Sequence, residues 1–277
     1  MIKTIVFNGG LGNQMFQYAF YLRLKNDYPL TLFLFDIEKS MCCHAGYQLD
    51  QVFSIDTYRQ QKNYRRLQRY LPYFIEKSTT IIQDESLEYD EGIIKKSGLV
   101  NIYQGFWQSE KYFFKYKEDV RDAFTFKKEK INAKTEELSN RLIQGEQTFI
   151  SVHIRRGDYL LEPQRGVCSI TYYKNAIHLL LKKVQSPYFV FFSDDIKWAK
   201  EKIPYDNSFY VDWNHDDDSW QDMYLMSLCK HNVIANSSFS WWGAWLNANQ
   251  NKIVVAPKQW FLCRDNYDIL PDKWIKL

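Results

Sequence analysis

A chain of 277 residues is long enough for one large or two moderate domains, each with a full core. With 45% hydrophobic and 25% charged residues it has the balance of a folded protein, which excludes a disordered or fibrous chain. The formal net charge of +3 gives no case for nucleic acid, and no run approaches the 18 apolar residues of a membrane span.

The opening MIKTIVFNGG is too short an apolar run for a signal peptide and has no cleavage-like segment. Thr4–Phe7 predicts a strand, which runs into Asn8-Gly9-Gly10-Leu11-Gly12-Asn13 and then an amphipathic helix from Gln14 to Asn26. Strand, glycine loop and helix start together aim backbone N–H groups at an anion. The same loop also reads as a plain tight turn, since it lacks the P-loop lysine and the dinucleotide spacing. Leu30–Phe35 predicts a strand, Asp36–Asp50 a loop and Arg59–Leu71 a helix. Positive charge gathers in Arg59–Arg69, RQQKNYRRLQR, either as a solvated helix face or as a surface for peripheral membrane association. Leu99–Phe106 is a strand, Ser109 with Glu110 opens a helix, and Lys117–Phe124 and Lys128–Gln144 are helices. The last is highly charged and is where the domain change is placed, dividing 1–130 from 131–277, with the C-terminal segment packing back on the first domain. There is no internal repeat.

The second half alternates more cleanly. Strands are expected at Phe149–Ile154, Tyr188–Phe192, Phe209–Val211, Val233–Ala235 and finally Ile253–Ala256. Helices are expected at Ile170–Val184, through Lys200 with Asp194 as its cap, at Asp216–Lys230 and at Trp241–Ala248. This alternation implies an α/β fold of mainly parallel sheets, with two such domains facing a cleft.

Five cysteines, Cys42, Cys43, Cys168, Cys229 and Cys263, form an odd set with an adjacent pair and no metal-type spacing. That argues against a disulfide framework or zinc and for a reducing compartment, the cytoplasm. Aromatic residues reach 17%; beyond filling cores they stack on sugars and bases, which favours a carbohydrate or nucleotide ligand.

Phe149–Tyr159, FISVHIRRGDY, is the stretch with the most chemistry. A strand ends there in Arg155 and Arg156, then Gly157 for a tight turn, then Asp158. Ligands of α/β sheets bind beyond the carboxyl ends of strands, and a guanidinium pairs two phosphate oxygens at once. One arginine is assigned to the ligand and the other to an ion pair with Asp158. Ser193-Asp194-Asp195 and Asn236–Ser240 follow other strands onto the same rim. Ser237 and Ser238 stand before a helix, to bind phosphate or to cap it. Asp222, early in its helix, either complements the helix dipole or accepts from guanine's adjacent N1–H and N2–H₂. The run Asp216-Asp217-Asp218, with His215, reads as a solvated helix start, against a metal site as the rival.

HIRRGDY at His153–Tyr159, FSDD at Phe192–Asp195, NSSFSWWGAWL at Asn236–Leu246 and GGLGNQMFQYAF at Gly9–Phe20 together resemble the bacterial α-1,2-fucosyltransferase family, over nearly the whole chain. The resemblance implies a GT-B fold of two Rossmann-like domains, the first on the acceptor side and the second holding the donor. It also implies transfer of fucose from GDP-β-L-fucose, with inversion and no metal, to the 2-hydroxyl of a galactose in a glycan acceptor. On it, Arg155 matches the β-phosphate contact, and Arg156 with Asp158 the supporting pair, with Asp194 and Asp195 as further support. His153 and Asp222 match guanine contacts in the wider superfamily. Ser237, Ser238 and the Phe239 backbone match the phosphate-binding turn, and Asn13, beside Gly12, a pyrophosphate contact. Glu162 falls near a superfamily base. Trp241, Trp242 and Trp245 are kept as core. The alternatives are fucosyl transfer of another linkage and a non-catalytic GDP-sugar or glycan binder of the same fold.

Overall fold

The computed structural model describes residues 1–37, 46–70, 79–84, 87–96, 98–162, 164–262 and 268–277. Cys42, Cys43, Cys263 and much of the expected Asp36–Asp50 loop lie outside these residues. The chain divides into two units, Met1–Lys127 with Asn266–Ile269, and Lys128–Asp265 with Leu270–Leu277.

The first unit runs β1 (Ile2–Phe7), α1 (Leu11–Asp27), β2 (Leu32–Ile37), α2 (Leu49–Val52), α3 (Tyr58–Tyr70), β3 (Thr79–Gln83), α4 (Glu91–Lys95), β4 (Val100–Gln104) and α5 (Lys117–Ala123). Its sheet has the order β2-β1-β4-β3, every pairing parallel. Strand order reverses between β1 and β4, so the glycine loop sits at a topological switch point. The loop is shorter than expected. Gly10 is already extended, the Gln14 N–H donates to its carbonyl at 3.1 Å, and the helix therefore starts at Leu11. Of the glycines in this loop, Gly9 is the one that needs glycine's freedom, at φ +72°. Gln17 pins the rim: its amide accepts from the Asn8 N–H and donates to Asn8 Oδ1 and to the Gly105 carbonyl. Ser109 opens only a single 3₁₀ turn, Glu110–Tyr112, not the helix expected there.

The second unit runs α6 (Ala133–Gln144), β5 (Thr148–Ile154), α7 (Ile170–Lys183), β6 (Pro187–Ser193), α8 (Ile196–Lys202), β7 (Ser208–Tyr210), α9 (Trp220–Leu228), β8 (His231–Val233), α10 (Ser238–Leu246), β9 (Val254–Ala256) and β10 (Ile275–Lys276). Its sheet, also parallel, has the order β10-β9-β8-β5-β6-β7. The strand expected to be last, β9, is thus followed by the two-residue β10. The charged helix begins at Ala133 rather than Lys128, because Asn132 caps it by accepting from the Thr135 N–H at 2.9 Å.

Alternation along β5 divides its side chains between two layers. Ile150, Val152 and Ile154 pack with Tyr173, Ala176 and Leu180 of α7 and Ala199 of α8. On the other face Ser151 meets Asn232, whose Nδ2 donates to Ser151 Oγ at 2.7 Å and to the Met226 carbonyl of α9 at 2.8 Å. Asn232 Oδ1 accepts from Asn247 at 2.8 Å, closing a buried network. Trp241, Trp242 and Trp245 are buried against one another, as core. Asn232→Ala would strand several of these polar groups. It is expected to lower stability by about 3 kcal/mol in urea denaturation, and a loss below about 0.5 kcal/mol would show that the network contributes little.

Candidate active site

In the second unit strand order reverses between β5 and β8, and the crevice of such a sheet lies beyond the carboxyl ends of those two strands. Residues 155–158 follow β5, residues 236–239 precede or open α10, and β6 contributes Ser193–Asp195 alongside. The three sequence segments expected on one rim do share it.

The arginine pairing differs from the expectation. Asp158 is the partner of Arg155, not of Arg156, at 2.7 Å. Arg155 is also held by Asp194 at 3.2 Å, and its guanidinium lies 5.5 Å from the Tyr159 ring centre. Arg156 pairs with Asp195 at 3.1 Å and stacks over Trp198 at 4.0 Å. The reason is register and alternation. Ile154 is opposite Ser193, so the next step puts Arg155 beside Asp194. Neighbouring side chains leave an extended strand on opposite faces, which sends Arg156 toward α8. The second carboxylate is also reassigned. Asp195, not Asp194, caps α8, accepting from the Trp198 N–H at 3.2 Å, while Asp194 accepts from the Arg156 N–H at 2.9 Å. Gly157 is required for space: a Cβ there would sit 2.7 Å from Asp194 Oδ2.

His153, on the Ser151 face, is buried, and its ring lies 5.7 Å from that of Phe239. Burial, with Arg155 nearby, lowers its pKa to about 3, so the imidazole is neutral, and Nδ1 has no partner among the described residues. Ser237 precedes α10 in extended backbone, and its hydroxyl makes no capping bond, so the capping role is not the one it plays. Ser238 is the first residue of the helix and Phe239 the next. Asn236 locks this turn to the loop after Arg155. Its Nδ2 donates to the carbonyls of Arg165, Gly166 and Trp260, and its own carbonyl accepts from the Tyr159 hydroxyl.

Asp222 sits in the first turn of α9 and accepts from Asn214 Nδ2 at 2.8 Å. Asn214 Oδ1 in turn accepts from Asn132, the cap of α6, and from Thr135 in its first turn, which fixes its amide orientation. Desolvation outweighs that hydrogen bond and pushes the Asp222 carboxyl up to about 7. Glu162 lies on the loop beyond Asp158, half-exposed and paired with Arg165 at 2.5 Å, so its carboxylate already has a cation. Asp216–Asp218 is a 3₁₀ turn ahead of α9 and not the opening of the helix, because Asp216 is left-handed at φ +49°. Asp218 accepts from Gln221 at 2.8 Å. Among the described residues no group of three or more His, Cys, Asp or Glu is placed to hold a metal ion.

In the first unit, Gly12 and Asn13 lie in the first turn of α1. Asn13 Oδ1 accepts from Gln108 Nε2 at 2.7 Å, which turns Nδ2 over Gly9, where a Cβ would approach it to 2.6 Å. Gln108, Asn214 and Trp198 escaped the sequence reading. Each acts on a residue far away in the chain or across a turn, and nothing in its local pattern marks it.

Two parallel α/β units, each with a polar loop at its switch point, define the GT-B type of glycosyltransferase fold. Fucosyltransferase NodZ from Bradyrhizobium shares it, with a TM-score of 0.54 over 87% of this chain and 90% of that one at 12% identity, a likeness of fold. The chain belongs to glycosyl transferase family 11, whose family model matches residues 1–274. It is 35% identical to an alpha-1,2-colitosyltransferase of Escherichia coli over 97% of this chain and 96% of the relative. It is 31% identical to the O-antigen biosynthesis glycosyltransferase WbnK of Escherichia coli over 98% of each. A galactoside alpha-(1,2)-fucosyltransferase 1 of Leontocebus fuscicollis is 29% identical over 51% of this chain and 42% of that protein.

The raised Asp222 carboxyl has a defined pH signature. The folded state holds a proton that the unfolded chain has released above its ordinary value of 3.8, so this contribution to stability is full below pH 4 and is lost as pH rises toward 7. Asp222→Asn keeps an oxygen to accept from Asn214. Melts at pH 4 and pH 8 are expected to agree with wild type at the lower pH and to lie above it at the higher. A variant less stable than wild type at pH 8 would contradict this.

Proposed function

We propose that this glycosyltransferase moves L-fucose from GDP-β-L-fucose, with inversion, to the 2-hydroxyl of a galactose in a glycan acceptor. The observation that carries the reading is the Arg155 guanidinium, fixed by two carboxylates at the switch point of the second unit, in a chain of family 11. An arginine already locked in place costs little reorganisation when charge develops on the leaving phosphate. Each terminal nitrogen has a second N–H beyond the one facing a carboxylate. These donors suit the β-phosphate. Ser237, Ser238 and the Phe239 N–H supply further donors at the start of α10. In the first unit Asn13 Nδ2 is assigned to the pyrophosphate.

The guanine is assigned to Asp222, with neutral His153 assisting. An ionised carboxylate matches the paired N1–H and N2–H₂ donors, and bound guanine would itself favour ionisation of Asp222. As the C1–O bond breaks its electron pair leaves with the GDP phosphate, the sugar gains oxocarbenium character, and the acceptor hydroxyl attacks the opposite face, its proton passing to water as the new C–O bond forms. Glu162, engaged with Arg165, is not assigned as the base. Arginine and N–H donors supply the positive charge at the phosphates, and no metal is assigned a role. A second reading concerns the donor sugar alone: the Escherichia coli relative named as a colitosyltransferase makes GDP-colitose the competing donor.

The direct test is GDP release from GDP-fucose and from GDP-colitose, with and without lactose, after dialysis against EDTA. Product linkage would be read by NMR. Acceptor-dependent release with GDP-fucose and a 1→2 linkage is expected. Release with GDP-colitose only would move the assignment to the second reading, and loss of activity restored by Mn²⁺ would overturn the metal-free one.

Arg155→Ala is expected to lower kcat by on the order of 10²–10³, as for loss of one oxyanion donor, with Arg155→Lys recovering only part. Arg156→Ala should instead lower the melting temperature, since Arg156 ties β5 to α8 through Asp195 and Trp198. Wild-type kcat in a folded Arg155→Ala protein would remove the arginine from the mechanism.

Gln108→Glu is isosteric but replaces the donor to Asn13 by an acceptor. The Asn13 amide should then turn its oxygen toward the phosphate position and raise the donor KM about tenfold, in line with loss of one hydrogen bond to a charged group. An unchanged KM would show that the Asn13 amide is not oriented by Gln108.

A further inference from the structure

Helix α3 carries a surface that the proposed reaction does not use. It spans Tyr58–Tyr70, 13 residues without a single acidic side chain. Arg59, Lys62, Arg65, Arg66 and Arg69 are all exposed, and their spacing of three and four places them on one face. Five cations on one helix exceed the formal excess of the entire chain, +3. None of the five forms an ion pair with a carboxylate among the described residues.

The opposite face is anchored. Tyr64 is buried, and its hydroxyl donates to Asp36 of β2 at 3.2 Å. The basic face is therefore held outward by the fold. Lys62 and Arg66, and likewise Arg65 and Arg69, are like-charge neighbours one turn apart, an arrangement that weakens a helix unless counter-charge relieves it. Tyr58 and Tyr70 flank this face, 67% and 71% exposed, with Lys62 and Arg69 lying over their rings.

We propose that α3 docks the protein on an anionic lipid surface. A single convex helix fits a plane of headgroups rather than a groove-shaped partner. Arg and Lys are drawn to the negative potential of such a surface, and tyrosines are favoured at the depth of the headgroups. The contact is peripheral: among the described residues no helix is long and apolar enough to cross a membrane. It is electrostatic in origin and so is screened by salt. The inference does not depend on the donor or acceptor assigned above.

The experiment is co-sedimentation of the full chain with vesicles of phosphatidylcholine alone, or with about 30% phosphatidylglycerol, at about 0.05 M and about 0.5 M salt. Binding is expected only with the anionic vesicles and only at the lower salt. Each cation removed should weaken partition about fivefold, so Arg65→Gln/Arg66→Gln/Arg69→Gln should weaken it by about a hundredfold. Its melting temperature and GDP-release activity in free solution should stay as in wild type. A second triple variant, Lys111→Gln/Lys115→Gln/Lys117→Gln, removes three cations elsewhere on the first unit and should bind as wild type does. Equal binding to neutral vesicles would overturn the proposal. So would no binding to anionic ones, an equal loss in both triple variants, or binding to RNA or heparin in place of vesicles.

Discussion

The Asp194 carboxylate holds the end of β5 in its working shape. One of its oxygens receives the Arg156 N–H and the other faces the Arg155 guanidinium. Two adjacent guanidiniums repel each other, and an unpaired one in a half-buried site is costly. Three carboxylates, Asp158, Asp194 and Asp195, remove that cost and draw the two arginines apart. Arg155 is thereby held at the crevice, and Arg156 is committed to the layer of α8. Gly157 belongs to the same constraint, since any side chain there would displace Asp194.

Around this point the two units repeat one physical solution. Each is a parallel sheet whose strand order reverses beside its first strand, and each presents a helix start and polar loop there. In the first unit Gln17 and Gln108 stiffen the glycine loop through its backbone and through Asn13. In the second, Asn236 ties the serine turn to the loop that follows Arg155. Buried amides fit this work because each one donates and accepts at once, so it can join two backbone segments without carrying charge into the interior.

The titrations of the site follow from burial more than from charge. His153 is kept neutral by its surroundings and by the neighbouring guanidinium, while Asp222 is made reluctant to ionise by the same desolvation. A carboxylate whose charge is disfavoured in the empty protein is one whose charge a ligand can call out, and groups perturbed in this way concentrate where ligands bind.

Much of this was legible in the sequence because it is local. The apolar runs of β1 and β5, the glycine loop, and the loops that end β5, β6 and the segment before α10 depend on residues next to one another, and parallel α/β alternation then puts the loops on one rim. The short elements β3, β10, α2 and α4 were not legible, because a few residues carry too little periodicity. Partner choice was not legible either. Asp158 lies two residues from Arg156 and three from Arg155, and nothing in that spacing says which it meets. The register that sets Ile154 opposite Ser193 decides it, together with the alternation that separates neighbouring side chains. The same holds for Gln108 with Asn13 and for Asn214 with Asp222. The sequence by itself determined which chemistry is present and on which loops. The tertiary structure alone decided which side chains face one another, because strand register and helix packing bring together residues that the chain keeps far apart.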